Sequence, residues 1–480
     1  MADRILSSYF YKFSERVLTH ATTFVVSIVL ARLLTPADYG TLSIIMVFVV
    51  FIQVIIDGGL SSALIQKKDT TTKDYDITLT ITLIMAFAFY MLLYFVSNIL
   101  ENWLEMDRLS RYLRVVALIL FPSAYLSIYR AKLVREMMFK TQLYVTFLGS
   151  LISGIVGIIL AYKGFGIWAL ITQQMSTSII MVLLYALISK WVPWITFRAD
   201  YGRAKQLYNY GWKIMVTNLL VRSNNEIMGL AIGKNCSPMI LGLYDRGKQF
   251  PQAAAENIEG TVQSVLFPIL SKVQNDKTLL VKHLRKIQVI MSYLSFNLLA
   301  FIAGSSTSFI PILLTERWMA CIPFLILWCV CYIPSVPSII AITAINSIGN
   351  SNMTLKRQLL STIPSLFVCL VVVIITRDVF WVLVAKIIMI PYFYGITSHY
   401  LTKSIPYGFR DQMKDLLPNL VVSLCVFGSV FFISSFNLNA YVTLLLQIIA
   451  ACAMLLVLSS TMHIEGYVII KEIIMRYIKK

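Results

Sequence analysis

The feature that most constrains this chain is a succession of about fourteen apolar runs, each close to the twenty residues that a helix needs to cross a hydrocarbon core. The runs are continuously apolar and about twice as long as the roughly ten-residue alternating strands of a membrane barrel, so helices are predicted. The segments between them are short, and none could house a soluble catalytic domain. Hydrophobic residues make up 58% of the 480 and charged residues only 13%, about half the roughly 25% of a soluble globular chain. This mix excludes a water-soluble enzyme, and the aliphatic and aromatic load excludes disorder. The fold class expected is an all-α integral membrane protein of about fourteen transmembrane helices.

The net charge is +18, and its distribution matters more than its size. When connections are assigned alternately to two sides, one side collects Arg4, Lys12, Lys67, Lys68, Lys73, Arg130, Lys132, Arg135 and Lys140. It goes on to collect the basic residues around 190–205, 272–286, 356–357 and 403–414, and the C-terminal lysines. The other side holds only Arg108, Arg111, Lys163, Lys234, Arg317 and Arg377. The ratio is about 27 to about 6, and the positive-inside rule makes the rich side, with both termini, cytoplasmic. Most of the charge therefore sets topology and meets anionic lipid. A nucleic-acid partner is not expected, because such binders are not this apolar. No cleavable signal is expected at the N-terminus, where Met1 to Lys12 is polar and aromatic.

Two spans, 211–233 and 239–268, are weak by hydropathy. Apolar residues still recur at helical spacing in both, so each is read as a membrane helix with one polar face. A layout repeat reinforces that reading. Tyr9–Lys67 and Tyr208–Lys272 each hold a helix, a short Pro-containing outer turn, and a second helix with Gly near its first turn. Six spans separate them, so the repeats run parallel, as in transporters whose site lies at a repeat interface. The organisation expected is two six-helix lobes, 1–190 and 191–405, then two additional helices in 406–462 and an amphipathic tail at 463–480. The tail carries Ile470, Ile473, Ile474, Tyr477 and Ile478 on one stripe, with Lys471, Arg476, Lys479 and Lys480 beside it, a pattern suited to an anionic inner leaflet.

Ionisable residues inside spans are costly and mark a pathway by default. The cavity candidates are Arg16, Arg32, Arg222, Arg246, Lys248 and Lys386, and the ion-coupling candidates are Asp57, Glu226, Asp245 and Glu256. Arg222 and Glu226 are four residues apart, and Asp245 and Lys248 three, so each pair shares a helix face and either neutralises itself or lines the pathway. A cationic lining would suit a diphosphate or an acidic glycan. Gly58-Gly59 should loosen the second helix, and Pro334 and Pro337 should kink the tenth. The seven cysteines, an odd number lying mostly inside apolar runs, read as buried small hydrophobes, and the four histidines are scattered, so no metal or cofactor is expected. There is no phosphate-binding Gly-rich loop and no Ser-His-Asp arrangement, so the chain is expected not to be an enzyme.

The stretch Ala31-Arg32-Leu33-Leu34-Thr35-Pro36-Ala37-Asp38-Tyr39-Gly40, with Asp57-Gly58-Gly59-Leu60-Ser61-Ser62-Ala63-Leu64-Ile65-Gln66, resembles the N-terminal signature of Wzx-type O-antigen and capsule flippases. These form the polysaccharide transport branch of the multidrug/oligosaccharidyl-lipid/polysaccharide exporter superfamily. Leu241-Gly242-Leu243-Tyr244 and Pro251 are similar to that family's second lobe. The resemblance implies a bacterial inner-membrane protein that moves a polyprenyl-diphosphate-linked oligosaccharide of O-antigen, capsule or exopolysaccharide to the outer leaflet by alternating access, coupled to H⁺ or Na⁺. Its implied partners are that glycan, membrane lipids, and a polymerase and other glycan-assembly proteins. By position, Arg16, Arg32 and Arg222 match the cavity arginines of lipid II flippases. The alternatives are a cation-coupled drug or lipid exporter of the same superfamily, a glycan polymerase or ligase, which the short loops disfavour, and a scaffold in an assembly complex.

Overall fold

The computed structural model describes residues 2–67, 69–196, 201–436 and 438–478, and among these the chain is helical, with no strand. Eleven helical segments are long and apolar enough to cross a membrane. Three more, Ala2–Leu33, Tyr201–Asn235 and Pro238–Lys272, have the length but not the composition. In the first of these the apolar stretch is confined to Val17–Leu33. The fold is that of a multi-pass membrane protein. Only a helix satisfies its own backbone polar groups in hydrocarbon, and large side chains such as Phe95, Leu187, Ile375 and Phe432 are left exposed on the outside. The chain divides into two compact units, up to Gly242 and from Leu243 onward.

The first unit begins with α1 (Ala2–Leu33) and α2 (Pro36–Asp57). The turn between them is built by sequence-local chemistry. Thr35 caps α2 in a capping box with Asp38, and Pro36 takes the first helical position, where its missing N–H costs nothing. The helix stops at Asp57 because Gly58 and Gly59 both adopt positive φ, 51° and 71°, and the chain restarts as the short α3 (Leu60–Gln66). The expected loosening is therefore a complete break. There follow α4 (Thr72–Leu104), α5 (Leu109–Val116) and α6 (Leu120–Arg135), the last two joined by a 3₁₀ turn. Pro122 explains that turn, since it cannot donate to the carbonyl four residues back. The unit closes with α7 (Phe139–Tyr162), α8 (Ile167–Ser189) and α9 (Tyr201–Asn235). The next helix, α10 (Pro238–Lys272), crosses the boundary between the units. A Cβ on Gly40 would strike the Pro238 carbonyl, so only glycine allows α2 and the start of α10 to touch backbone to backbone.

The second unit holds α11 (Lys277–Gly304), α12 (Ser306–Leu313), α13 (Ile322–Tyr332), α14 (Ser335–Ser347) and α15 (Ser351–Thr376). It ends with α16 (Val379–Ile388), α17 (Ile390–Ser404), α18 (Phe409–Ile433), α19 (Ala440–Thr461) and α20 (Glu465–Ile478). The tenth apolar run is broken between Tyr332 and Ser335, where Pro334 stands. The twelfth is broken at Met389, before Pro391, for the same reason.

Several helices outrun the apolar stretches that mark them. α9 starts at Tyr201 and α11 at Lys277, each about ten residues before its apolar run. Charged helical turns outside the membrane face water and cost nothing to continue. Each unit ties these extensions with a buried aspartate. In the first, Asp74 is fully buried, 2.6 Å from Lys67 Nζ and 3.7 Å from Arg203, and accepts from the Thr71 hydroxyl. In the second, Asp415 takes Arg285 Nε at 2.8 Å and the Tyr407 hydroxyl at 2.8 Å, and Arg285 reaches Glu465 of α20 at 2.9 Å. Burial, reinforced by that bond to Asp415, pushes the Tyr407 hydroxyl well above the ordinary tyrosine range.

Candidate functional site

The first unit contains a cavity of about 580 Å³, within the roughly 300–1,000 Å³ range of small-molecule sites. Three helices contribute one face each at helical spacing. From α2 come Met46, Val50, Gln53 and Asp57, from α6 Ser123, Ser127, Arg130 and Val134, and from α8 Gln174, Thr177, Ser178 and Met181. α3 adds Ser61 and Ile65, and α9 adds Asn218 and Arg222. The wall thus holds two guanidinium groups, one carboxylate and a set of amides and hydroxyls.

Both guanidinium groups are exposed to the cavity, and neither is in an ion pair with a described residue. Asp57 is half-buried at the end of α2, and Ser61 donates to its Oδ1 at 2.7 Å across the Gly58-Gly59 break. Gln53 Nε2 donates to Ser123 Oγ at 3.0 Å, tying α2 to α6 within the wall. Such a surface can hold an anion by charge-assisted bonds at the arginines and hydroxyl groups at the amides. α3 forms one wall and is held from behind by Arg135, whose guanidinium donates to the carbonyls of Leu64, Ile65 and Lys67.

Of the residues singled out in the sequence, Asp57 and Arg222 meet in this cavity. Glu226, one turn beyond Arg222, is half-buried and is not part of the lining. Arg32 is exposed in the last turn of α1, and the side chain of Arg16 lies outside the described residues. The remaining candidates belong to the second unit. Arg246 is 5% exposed, with its guanidinium 4.9 Å from the centre of the Trp318 ring and donating to Gln249 at 2.5 Å. Lys248 and Lys386 both point at Trp328, with ammonium nitrogens 5.2 and 4.7 Å from its ring centre. Asp245 is half-buried beside them in sequence, and the exposed Glu256 accepts from Gln252.

Arg130 is the cavity residue that sequence reading assigned elsewhere. It belongs to a basic run with Lys132 and Arg135 that topology alone explains. The signal that would have separated it is the stripe Ser123, Ser127, Arg130 on one face of an otherwise apolar run.

A family model described as "Polysaccharide biosynthesis protein" matches residues 29–323. The chain is 25% identical over 312 residues to an uncharacterized membrane protein in the cps region of Klebsiella pneumoniae, covering 64% of each. It is 23% identical to the teichuronic acid biosynthesis protein TuaB of Bacillus subtilis, over 58% of this chain and 57% of that one. It is also 23% identical to the succinoglycan biosynthesis transport protein ExoT of Rhizobium meliloti, over 54% and 52%. The matched part thus spans between about half and two thirds of the length of these relatives. Among solved structures, the lipid II flippase MurJ in an inward closed conformation superposes with a TM-score of 0.74, covering 95% of this chain and 99% of that one at 16% identity. At that identity the likeness defines the fold.

Proposed function

The chain belongs to the polysaccharide biosynthesis protein family, and on that premise we propose that it is a flippase for a polyprenyl-diphosphate-linked oligosaccharide. It would carry an O-antigen, capsule or exopolysaccharide repeat unit from the cytoplasmic to the outer leaflet. The observation that carries this reading is the membrane-embedded cavity with two arginines, Arg130 and Arg222, facing the same space. A diphosphate offers the oxygens that two guanidinium groups bind best. The amides and hydroxyls of Gln53, Gln174, Ser178 and Asn218 would meet sugar hydroxyls. A lining with one carboxylate against two guanidiniums argues against a carrier of cationic drugs. The names of the relatives, which concern teichuronic acid and succinoglycan, point to the same substrate class.

In this reading the protein sits in the bacterial inner membrane with both termini in the cytoplasm. Residues 1–190 and 191–405 form its lobes, 406–462 two added helices and 463–480 a surface tail. Transport proceeds by alternating access and draws on an H⁺ or Na⁺ gradient, with glycan polymerase and assembly proteins as neighbours. The direct test is deletion of the gene in a strain lacking other flippases. Lipid-linked repeat units should then accumulate on the cytoplasmic leaflet, and their continued appearance on the outer leaflet would rule the reading out.

A further inference from the structure

A guanidinium without a counter-charge also lies in the second unit. Arg357, in the second turn of α15, is only 9% exposed. Its Nη1 donates to Thr397 Oγ1 of α17 at 3.2 Å, and its Nη2 donates to Gln358 Oε1 at 2.8 Å. Both acceptors are neutral. Its Nε is buried with no hydrogen-bond partner. Among the described residues, no carboxylate stands within ion-pair distance of the group. The sequence explains the lack. Between Glu316 and Asp411 the sole acid is Asp378. It caps α16 beyond the far end of α15, about 30 Å away at 1.5 Å per helical residue. The buried acid of α18, Asp415, is taken by Arg285 and the Tyr407 hydroxyl. An arginine does not shed its proton, and a buried charge left unpaired is strongly destabilising. Ser398 follows Thr397 on α17, is 1% exposed, and its hydroxyl also lacks a partner. α15 and α17 thus each carry an unused buried donor next to the Arg357–Thr397 bond.

We infer that Arg357 and Ser398 form a binding site for a small monovalent anion of chloride size at the seam of α15 and α17. One guanidinium balances one negative charge. The donors left over are an N–H and an O–H, which suit a halide, since it only accepts hydrogen bonds and takes them from any direction. The burial of Arg357, Thr397 and Ser398 keeps a bulky anion out. Ser398 also lines a cavity of about 400 Å³ with Gly395, His399, Thr402 and Phe409, and a bare ion enters the seam from that side. Lys356 and Lys403, exposed at this end of the two helices, raise the local concentration of anions. The bound ion neutralises Arg357 and ties α15 to α17. The site stands apart from the arginine-lined cavity and does not depend on the flippase reading.

The test uses the full-length protein in detergent without glycan, with sodium chloride exchanged for sodium gluconate at constant ionic strength and the thermal midpoint recorded. The wild type should show a saturable rise of several degrees with chloride that gluconate does not give. Arg357→Met, which puts an apolar chain in place of the cation, should abolish the rise. Ser398→Ala keeps the guanidinium and serves if Arg357→Met does not fold. It should raise the half-saturating chloride concentration at least about fivefold, the loss of roughly one hydrogen bond. The double variant Arg130→Gln, Arg222→Gln should keep the rise, which separates this ion from an anion held in the cavity. Absence of a chloride-specific rise in the wild type would overturn the site and leave the flippase reading standing. So would an undiminished rise in Arg357→Met or Ser398→Ala, or loss of the rise in the double cavity variant.

Discussion

Two groups of cations, one in each unit, stand in opposite settings. In the first, Arg130 and Arg222 face the space of a cavity. In the second, Arg246, Lys248 and Lys386 are laid against the indoles of Trp318 and Trp328. A cation over an aromatic face recovers about 0.5–2 kcal/mol, more when desolvated, and is to that extent committed to the protein. A guanidinium that borders a cavity without an acid partner keeps its donors for a ligand. Charge inside a span is therefore not a uniform marker of function, and what surrounds it decides its role.

The largest effect that sharpens this contrast is charge reversal in the cavity. Arg222→Glu and Arg130→Glu should each reduce complementation of a flippase deletion at least about 100-fold, the loss expected when an interaction worth about 3 kcal/mol is replaced by repulsion. Membrane abundance on immunoblots should stay at the wild-type level. Lys386→Glu should instead reduce abundance itself, because the charge cannot leave the Trp328 ring.

Next come the two buried aspartates. Asp74→Ala strands Lys67 and Arg203, and Asp415→Ala strands Arg285 and the Tyr407 hydroxyl. Each should cost about 2–4 kcal/mol, somewhat less than the roughly 3–5 kcal/mol for breaking a fully buried pair, since the cationic partners are partly solvated. The thermal midpoints of the purified variants would show it, and equal drops would mean that the units differ in their cavity cations but not in their anchors.

Lys386→Met and Trp328→Phe probe the second unit more gently. The first exchanges an ammonium for a thioether of similar length, and the second removes a buried indole N–H that has no partner. Both should change stability by no more than about 1 kcal/mol and leave complementation within about threefold of wild type. A loss of complementation at normal abundance would break the contrast and place Lys386 in the transport path.

How much of this was legible in the sequence depends on the range of the forces involved. The α1–α2 turn was readable because Thr35, Pro36 and Asp38 act within four residues. The break after Asp57 was readable because two consecutive glycines permit positive φ. The eleven most apolar spans were readable from hydropathy. The surroundings of Arg130 and Lys386 were not readable. Both are cations in or beside apolar runs, and what separates them is the three-dimensional neighbour, a cavity for one and Trp328 for the other.

The smallest predicted effect concerns the loop before α11, outside the spans. Asp276 caps that helix, and the Thr278 hydroxyl holds its carboxyl below the usual carboxylate range. A lowered native pKa means that the cap is fully present above the ordinary aspartate value and is lost as pH falls through the lowered one. Amide exchange at Thr278 and Leu279 should accelerate only at that acid end, with the cavity helices unaffected.

The central claim is that the arginine-lined cavity of the first unit carries a lipid-linked diphosphate glycan across the membrane. Purified protein reconstituted in liposomes with a polyprenyl-diphosphate oligosaccharide, assayed for enzymatic access to the glycan from the far leaflet, tests it most directly. The account predicts rapid translocation by the wild type and none above empty liposomes for the Arg130→Glu, Arg222→Glu double variant. Undiminished translocation by that variant, or none by the wild type, would contradict it.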